Sequence, residues 1–204
     1  VARRIILFIH STLNGVVTGD PDGDKTDFSG WTRPGNVVGE ASESLLRLFD
    51  RVDTVLLGRA TYDDLSRKWP TMQAATEPVD VVSRLAAKIN GATKLVATRD
   101  DQVAQLPWGE CAPAEPLGGD LAERLQRIRA GEGGDVVIFG SPTLVRSLME
   151  ADLIDELHIV VHPVVVEVGE RLFSGVETRT DLTLESATTF SEGGVLLAYG
   201  RAVA

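Results

Sequence analysis

A single cysteine, Cys111, stands in 204 residues. It can form no internal disulfide, so the fold must rest on packing, and nothing in the sequence points to an oxidising compartment. Basic residues are also few: 20 Lys and Arg against 30 Asp and Glu leave a net charge of −10. A surface of that sign excludes broad binding to DNA, RNA or anionic membrane, each of which demands a basic footprint. Any basic site is therefore local. Long apolar runs are missing as well. No stretch approaches the roughly 18 residues of a membrane span, and the Ile5–Ile9 run after Arg3 and Arg4 is too short for the apolar part of a signal peptide. The expected location is the cytoplasm. Neither an internal repeat nor a low-complexity tract is present.

What is present reads as one folded unit. Apolar residues make up 43% and charged residues 25% of a length that suits a single domain, residues 1–204. Strand and helix patterns alternate without a linker. Arg4–His10 is an Ile-rich run suited to a central strand, and Ser11–Asn36 is a long loop rich in Gly, Asp, Pro and Thr around Trp31. Helical spacing follows over Glu40–Phe49, then a strand at Thr54–Leu57 and a helix from Ala60 to Lys68, stopped by Pro70. Val79–Ile89 predicts a helix ending in a left-handed Asn90-Gly91 cap, and Lys94–Thr98 a strand. Gly119–Ala130 is helical up to the Gly131–Gly134 cluster. Asp135–Phe139 is a buried strand, and Pro142 opens the helix Thr143–Ala151. Strands are predicted at Asp155–Val161 and Val164–Val168, with a terminal antiparallel pair at Leu182–Ser186 and Val195–Val203. Three strand-to-helix units argue for an α/β sheet with helices on both faces and an antiparallel edge.

Two of those units carry chemistry. In Val55-Leu56-Leu57-Gly58-Arg59-Ala60-Thr61-Tyr62 a strand delivers Gly58 where backbone must come close, Arg59 brings a positive fork, and Thr61 offers a hydroxyl beside unpaired helix N–H groups. Phe139-Gly140-Ser141-Pro142-Thr143 repeats the arrangement. Such junctions hold phosphate and point to a nucleotide cofactor. The same residues would also serve an ordinary strand-end turn with a capping threonine.

Strand Arg4–Ile9 leading into Ser11-Thr12-Leu13-Asn14-Gly15, then Leu57-Gly58-Arg59-Ala60-Thr61-Tyr62, Phe139-Gly140-Ser141, Leu153-Ile154-Asp155-Glu156-Leu157, Pro163 and Arg171-Leu172-Phe173 together resemble the dihydrofolate reductase superfamily. The branch is that of the reductase domain of bacterial riboflavin biosynthesis, and the resemblance covers nearly the whole chain in order. It implies a three-layer fold with a mostly parallel central sheet, helices on both faces and an antiparallel C-terminal hairpin. It also implies NADPH as cofactor and hydride transfer to a C=N or C=O of a small heterocyclic or carbonyl substrate, as in 5-amino-6-(5-phosphoribosylamino)uracil reductase. Carried over by position, Gly58, Arg59 and Thr61 would grip phosphate, Thr98 and Arg99 the 2′-phosphate, and Gly140, Ser141 and Thr143 a second phosphate site. Gly15 lies in the loop expected to close over the nicotinamide. That loop reads Leu13-Asn14-Gly15 where the family commonly has Leu-Asp-Gly, and an amide cannot act as a base. Asn14, Trp31 and Glu40 are the candidates for the substrate pocket, with Glu43 as a second helical acid and Arg33 as a nearby cation. Catalytic residues are not assigned by the resemblance. A homodimer through the C-terminal strands is expected from an uncovered edge and from the family's habit.

A rival reading keeps the fold without turnover, as an NADP(H)-binding sensor or interaction protein, motivated by Asn14 and by the single glycine at 140. Other features carry less. His158 and His162 have helical zinc spacing in a strand-like context, where they would stand roughly 13 Å apart at about 3.3 Å per residue, too far for one metal. Asp22, Asp24 and Asp27 resemble part of a calcium loop but no Glu follows at the required offset. His10, at the end of the first strand, could line the pocket or simply be a satisfied, partly buried histidine. No metal is expected.

Overall fold

A computed structural model describes residues 2–18, 31, 36–72, 80–99 and 105–202, with side chains in the first helix from residue 39 onward. Arg33 and Asp22, Asp24 and Asp27 lie outside the described residues. The chain runs β1 (Ile5–Thr12), α1 (Asn36–Leu48), β2 (Val52–Gly58), α2 (Arg59–Lys68), a short 3-10 turn (Trp69–Thr71), α3 (Val81–Gly91) and β3 (Thr93–Ala97). It continues through β4 (Leu106–Trp108), β5 (Cys111–Leu117), α4 (Leu121–Ala130), β6 (Asp135–Phe139), α5 (Pro142–Glu150), β7 (Glu156–His162), β8 (Leu182–Thr189) and β9 (Val195–Arg201). All nine strands join one sheet in the order β4-β5-β3-β2-β6-β1-β7-β9-β8. The six strands from β5 to β7 in that order are mutually parallel, while β4, β9 and β8 are antiparallel to their neighbours.

Helices cover both faces, which is why the central strands are apolar without alternation: Ile5, Ile6 and Leu7 are all fully buried. On one face Ile6, Phe8, Val55 and Leu57 pack against Ala41 and Leu45 of α1, Tyr62 and Leu65 of α2, and Leu85 and Ile89 of α3. On the other, Ile5, Leu7, Leu56 and Ile138 meet Leu125 of α4 and Leu144, Val145 and Leu148 of α5. Among the described residues no helix is long and apolar enough to cross a membrane.

Three predicted details are corrected. Val164–Val168 is not a strand: Pro163 has no N–H to extend the ladder, and Val164 N bonds back to His162 O at 2.8 Å, turning the chain out of the sheet. Helix α3 starts at Val81, because Asp80 is its cap and accepts from Ser83 N at 2.7 Å. Its end is not a left-handed glycine cap either. Gly91 is helical, Ala92 is extended, and the buried Lys94 ammonium closes the helix by donating to the carbonyls of Asn90 and Ala92 at 2.9 and 2.8 Å. The β4–β5 pair has no counterpart in the sequence pattern, since Pro107, Pro113 and Pro116 argue against strands; the pair is tolerated at the border of the sheet.

The two ends of the strands differ in kind. At the amino end, charges lock β1, β6 and β7 together. Arg51 bridges Asp135 and Glu156, each at 2.5 Å, Arg4 meets Glu156 at 2.5 Å, and His158 lies 3.1 Å from the same carboxylate. Burial alone would raise the Glu156 pKa, but hydrogen bonds from His158 and Arg51 and the charges of Arg51 and Arg4 outweigh it and hold the carboxyl at about 2. At the carboxyl end the chain leaves β2 and β6 towards opposite faces, a crevice of the kind where α/β sheets bind ligands. The two junctions touch. A Cβ added to Gly58 would lie 2.3 Å from Ser141 Cβ, and one added to Gly140 would lie 2.9 Å from Thr61 Oγ1. Gly140 and Ser141 both have positive φ, 61° and 51°, a conformation that suits the first and strains the second.

Gly58→Ala is expected to destabilise the fold by about 2–3 kcal/mol through overpacking. Ser141→Gly alone should be neutral or stabilising, and the double variant should recover most of the loss, because the next nearest atom to the new methyl is Ser141 Cα at 3.8 Å. Urea midpoints of the four proteins check this. Glu156→Gln should cost about 2 kcal/mol at pH 7 by removing the charged hydrogen bonds between the buried carboxylate and the partly exposed Arg4 and Arg51. The wild-type carboxylate has its folded pKa below the ordinary 4.5, so its stabilisation is complete above that value and fades as pH falls towards 2. Denaturation at pH 7 and at pH 3 should therefore show the gap between wild type and variant narrowing with acid.

Candidate functional site

The crevice opens into a cavity of about 450 Å³, a size suited to small-molecule ligands. Its walls come from elements that the fold brings together at one edge. The end of β1 supplies Phe8, Ile9 and His10; the following loop supplies Val17 and Thr18; the two junctions supply Ala60 and Thr61, and Gly140 to Thr143. Leu45 of α1, Asp64 and Leu65 of α2, Trp69 and Glu170 complete it. The N-termini of α2 and α5 sit at this lip, where backbone N–H groups of a first helical turn are free of helical partners.

Of the residues singled out from sequence, Thr61, Gly140, Ser141 and Thr143 line the cavity, and Gly58 lies behind them in contact with Ser141. Arg59 is exposed on the first turn of α2. Its guanidinium bonds Asp63 at 3.0 Å and lies 5.6 Å from the centre of the Tyr62 ring. An exposed pair of that kind is worth only about 0.3–0.5 kcal/mol, so an arriving phosphate could take the arginine over. Thr98 and Arg99 stand just past β3, on the same edge but outside the cavity, with Arg99 exposed and Thr98 N donating to Leu117 O at 3.3 Å.

The loop residues take structural roles. Gly15, at φ 84°, forms a turn in which its N–H donates to Thr12 O at 2.9 Å, and its carbonyl accepts from Leu172 N at 3.0 Å. Asn14 Nδ2 donates to Val166 O at 2.7 Å and Oδ1 accepts from Thr12 Oγ1 at 2.8 Å, so the amide pins the loop to the segment after β7. Trp31 donates from Nε1 to Thr18 O at 3.1 Å and sets its ring edge-on to His162, with centroids 5.3 Å apart. Glu40 accepts from Ser191 N at 2.9 Å, tying α1 to the β8–β9 turn. Glu43 lies 3.9 Å from Arg84 of α3. None of Asn14, Trp31, Glu40 and Glu43 is part of the cavity wall.

Acidic groups do reach the cavity, from places that the sequence does not mark. Asp64, in the second turn of α2, is paired with Lys68 at 2.9 Å, and Glu170 with Arg146 at 2.5 Å. Both read in the sequence as ordinary surface charges. Trp69 contributes a buried Nε1–H that has no acceptor among the described residues, so a ligand atom there would relieve a desolvated donor. His10 Nδ1 lies 2.8 Å from His162 Nε2. Burial, helped by His162, pushes the His10 pKa down to about 3, and burial lowers that of His162. A period-2 reading of Glu156, His158, Val160 and His162, which places all four on one face of β7, was the signal available for this pair. Among the described residues no group of His, Cys, Asp and Glu is arranged to hold a metal ion.

Comparison with known proteins matches this architecture. Residues 3–196 fit the RibD C-terminal domain family. The uncharacterized protein YyaP of Bacillus subtilis (strain 168) is 26% identical over 207 residues, covering 97% of this chain and 94% of YyaP. A solved structure from Shewanella sp. PV-4, named for riboflavin biosynthesis, superimposes with a TM-score of 0.71 at 19% identity, over 98% of this chain and 99% of that one. The dihydrofolate reductase of Enterococcus faecalis, solved with NADP(H), gives 0.61 at 14% identity, over 98% and 97%. At such identities the structural likeness is one of fold. With nearly its whole length matched in sequence and a dihydrofolate reductase-like sheet beneath it, this chain belongs to the RibD C-terminal domain family.

Proposed function

We propose that this protein is an NADPH-dependent reductase, delivering hydride to a C=N or C=O carbon of a small heterocyclic or carbonyl substrate. The observation that carries the reading is the contact between the β2–α2 and β6–α5 junctions. Two glycines bring two helix N-termini to one lip, with Thr61, Ser141 and Thr143 hydroxyls beside them. The residues suit the cofactor: the first turns of α2 and α5 and the hydroxyls of Thr61, Ser141 and Thr143 offer donors to a phosphate at one lip of the cavity. Gly58, Thr61, Gly140, Ser141 and Thr143 would hold the pyrophosphate, with Arg59 turning from Asp63. Thr98 and Arg99 would meet the 2′-phosphate, and Gly15 would shape the loop that covers the nicotinamide.

The cofactor supplies the hydride when bound, and the chain supplies placement and dry walls. Phe8, Ile9, Leu45, Leu65 and Phe139 give those walls. The described lining residues include Asp64 and Glu170 but no Lys or Arg, which favours an acceptor with hydrogen-bond donors over one whose phosphate is buried in the cavity. The molecule is proposed to work as a homodimer in which β8, at the sheet edge and exposed along seven of its eight residues, meets a second copy.

Fluorescence titration with NADPH and NADH, followed by a carbonyl, imine and pyrimidine panel read at the nicotinamide band, tests the function. Oxidation of NADPH by a panel member is expected. Tight NADPH binding without oxidation by any of them would favour a sensor, and failure to bind either nucleotide would contradict both. Arg99→Ala should weaken NADPH about 10-fold or more by removing a charged hydrogen bond while leaving NADH unchanged; equal loss for both contradicts its contact with the 2′-phosphate. Light scattering should give the mass of two chains, and a monomer mass rules out the dimer.

A further inference from the structure

His10 and His162 form a polar pair inside an otherwise apolar face. Parallel pairing of β1 with β7 sets His10 opposite Val160 and Thr12 opposite His162, so the two imidazoles meet diagonally on the side of the sheet that α1 covers. Their ring centroids are 5.1 Å apart, and the contact is Nδ1 of His10 to Nε2 of His162 at 2.8 Å. His162 is buried and held from above by the Trp31 ring. Phe8 stands edge-on to His10 at 6.0 Å. With Nδ1 engaged, Nε2 is the polar atom that His10 has left for the cavity it lines.

We infer, resting on the reductase reading above, that His10 donates a hydrogen bond from Nε2 to the oxygen or nitrogen of the C=O or C=N being reduced, and that His162 positions it. The acidic groups of the cavity, and Asn14, are engaged elsewhere. Asp64 and Glu170 are paired with Lys68 and Arg146, and Asn14, at the position where the family commonly has an acid, is bound to Val166 and Thr12. Among the described residues His10 has no carboxylate against it. Its ring meets His162 from β7 and Phe8 from its own strand, while His158, further along β7, is engaged by Glu156.

A histidine so placed stays uncharged, since burial and the second imidazole disfavour a proton. A neutral imidazole can still donate one N–H. If His162 donates from Nε2 to His10 Nδ1, the His10 proton is fixed on Nε2, the ring nitrogen left for the cavity that His10 lines. There it stabilises the negative charge that develops as hydride arrives, in the manner of an oxyanion donor. The balance is simple. A C–H bond forms at the acceptor carbon with the hydride of the dihydronicotinamide, which is oxidised. The π pair moves to oxygen or nitrogen, and that atom takes its proton from water while His10 keeps its own. His10 is thus a catalytic residue by contact, and His162 a positioning residue.

Four substitutions and one spectrum test this. Gln at position 10 places an amide near the lost Nε2, whereas Asn places one near Nδ1, keeps the bond to His162 and lacks the donor. For the panel acceptor that wild type reduces fastest, His10→Asn should lower kcat about 100-fold, in the range for losing one oxyanion donor. His10→Gln should lose less than about 10-fold on the same scale, and NADPH affinity should be unchanged in both. Equal loss in the two variants, or none in His10→Asn, overturns the role. The chain has three histidines, so 15N-histidine spectra are assignable with His158→Asn and His162→Asn. His10 should appear neutral and protonated on Nε2 from pH 5.5 to 8, and His162→Asn should mix its tautomers and lower kcat. A His10 that titrates with the ordinary midpoint near 6.5, or that carries its proton on Nδ1, overturns the proposal without touching the reductase reading. Wild type that binds NADPH but reduces no panel member removes the reductase reading and this role with it, whatever the tautomer.

Discussion

The approach of the β2–α2 turn to the β6–α5 turn is the constraint on which the rest of this molecule depends. β2 and β6 are neighbours in the sheet, yet their helices leave towards opposite faces, so the turns must pass each other within van der Waals contact. Only a residue without Cβ fits at position 58, and at 140 the positive φ adds a second reason for glycine. The cavity is the space left above that contact. Its size, the placement of Thr61 and Thr143, and the convergence of two helix N-termini all follow from the one close approach. Ser141 at φ 51° is the place where strain is retained, at the centre of the candidate site.

The opposite edge of the sheet answers a different need. Arg4, Arg51, Asp135, Glu156 and His158 form a network around one buried carboxylate, where each charge has a counter-charge within reach. Removing a partner there would strand a charge in a low dielectric, so the network resists slippage between β1, β6 and β7. The carboxyl edge can then carry less well-matched groups: an orphan Trp69 N–H, an uncharged histidine pair and a strained serine. Order at one end of the strands supports chemistry at the other. Asn14 and Trp31 extend the same logic to the loop, fixing its backbone to Val166 and its cover to His162 rather than reaching the cavity.

Much of this is legible in the chain. Apolar runs at Ile5–Ile9, Val55–Leu57 and Val136–Phe139 specify strands buried on both faces, and the glycines that end two of them specify the junctions. What is not legible is instructive. The β4–β5 pair hides behind Pro107, Pro113 and Pro116, residues that in a sequence argue against strands. The end of α3 is closed by Lys94, a nearby side chain turned back by burial in a way that the glycine cap rule does not anticipate. Asp64 and Glu170 look like surface acids, since only the tertiary fold turns them into a cavity. The His10–His162 contact spans 152 positions and exists because β1 and β7 are adjacent, a pairing that period-2 patterns suggest for each strand alone but not between them.

The most direct measurement is a crystal structure of the protein grown with NADP+. The account predicts the pyrophosphate between the N-termini of α2 and α5, the adenosine end against Thr98 and Arg99, and the nicotinamide at the end of β1 near His10. A nucleotide lodged elsewhere, or turns at Gly58 and Gly140 that move apart to leave the phosphates without contact to either helix, would contradict it.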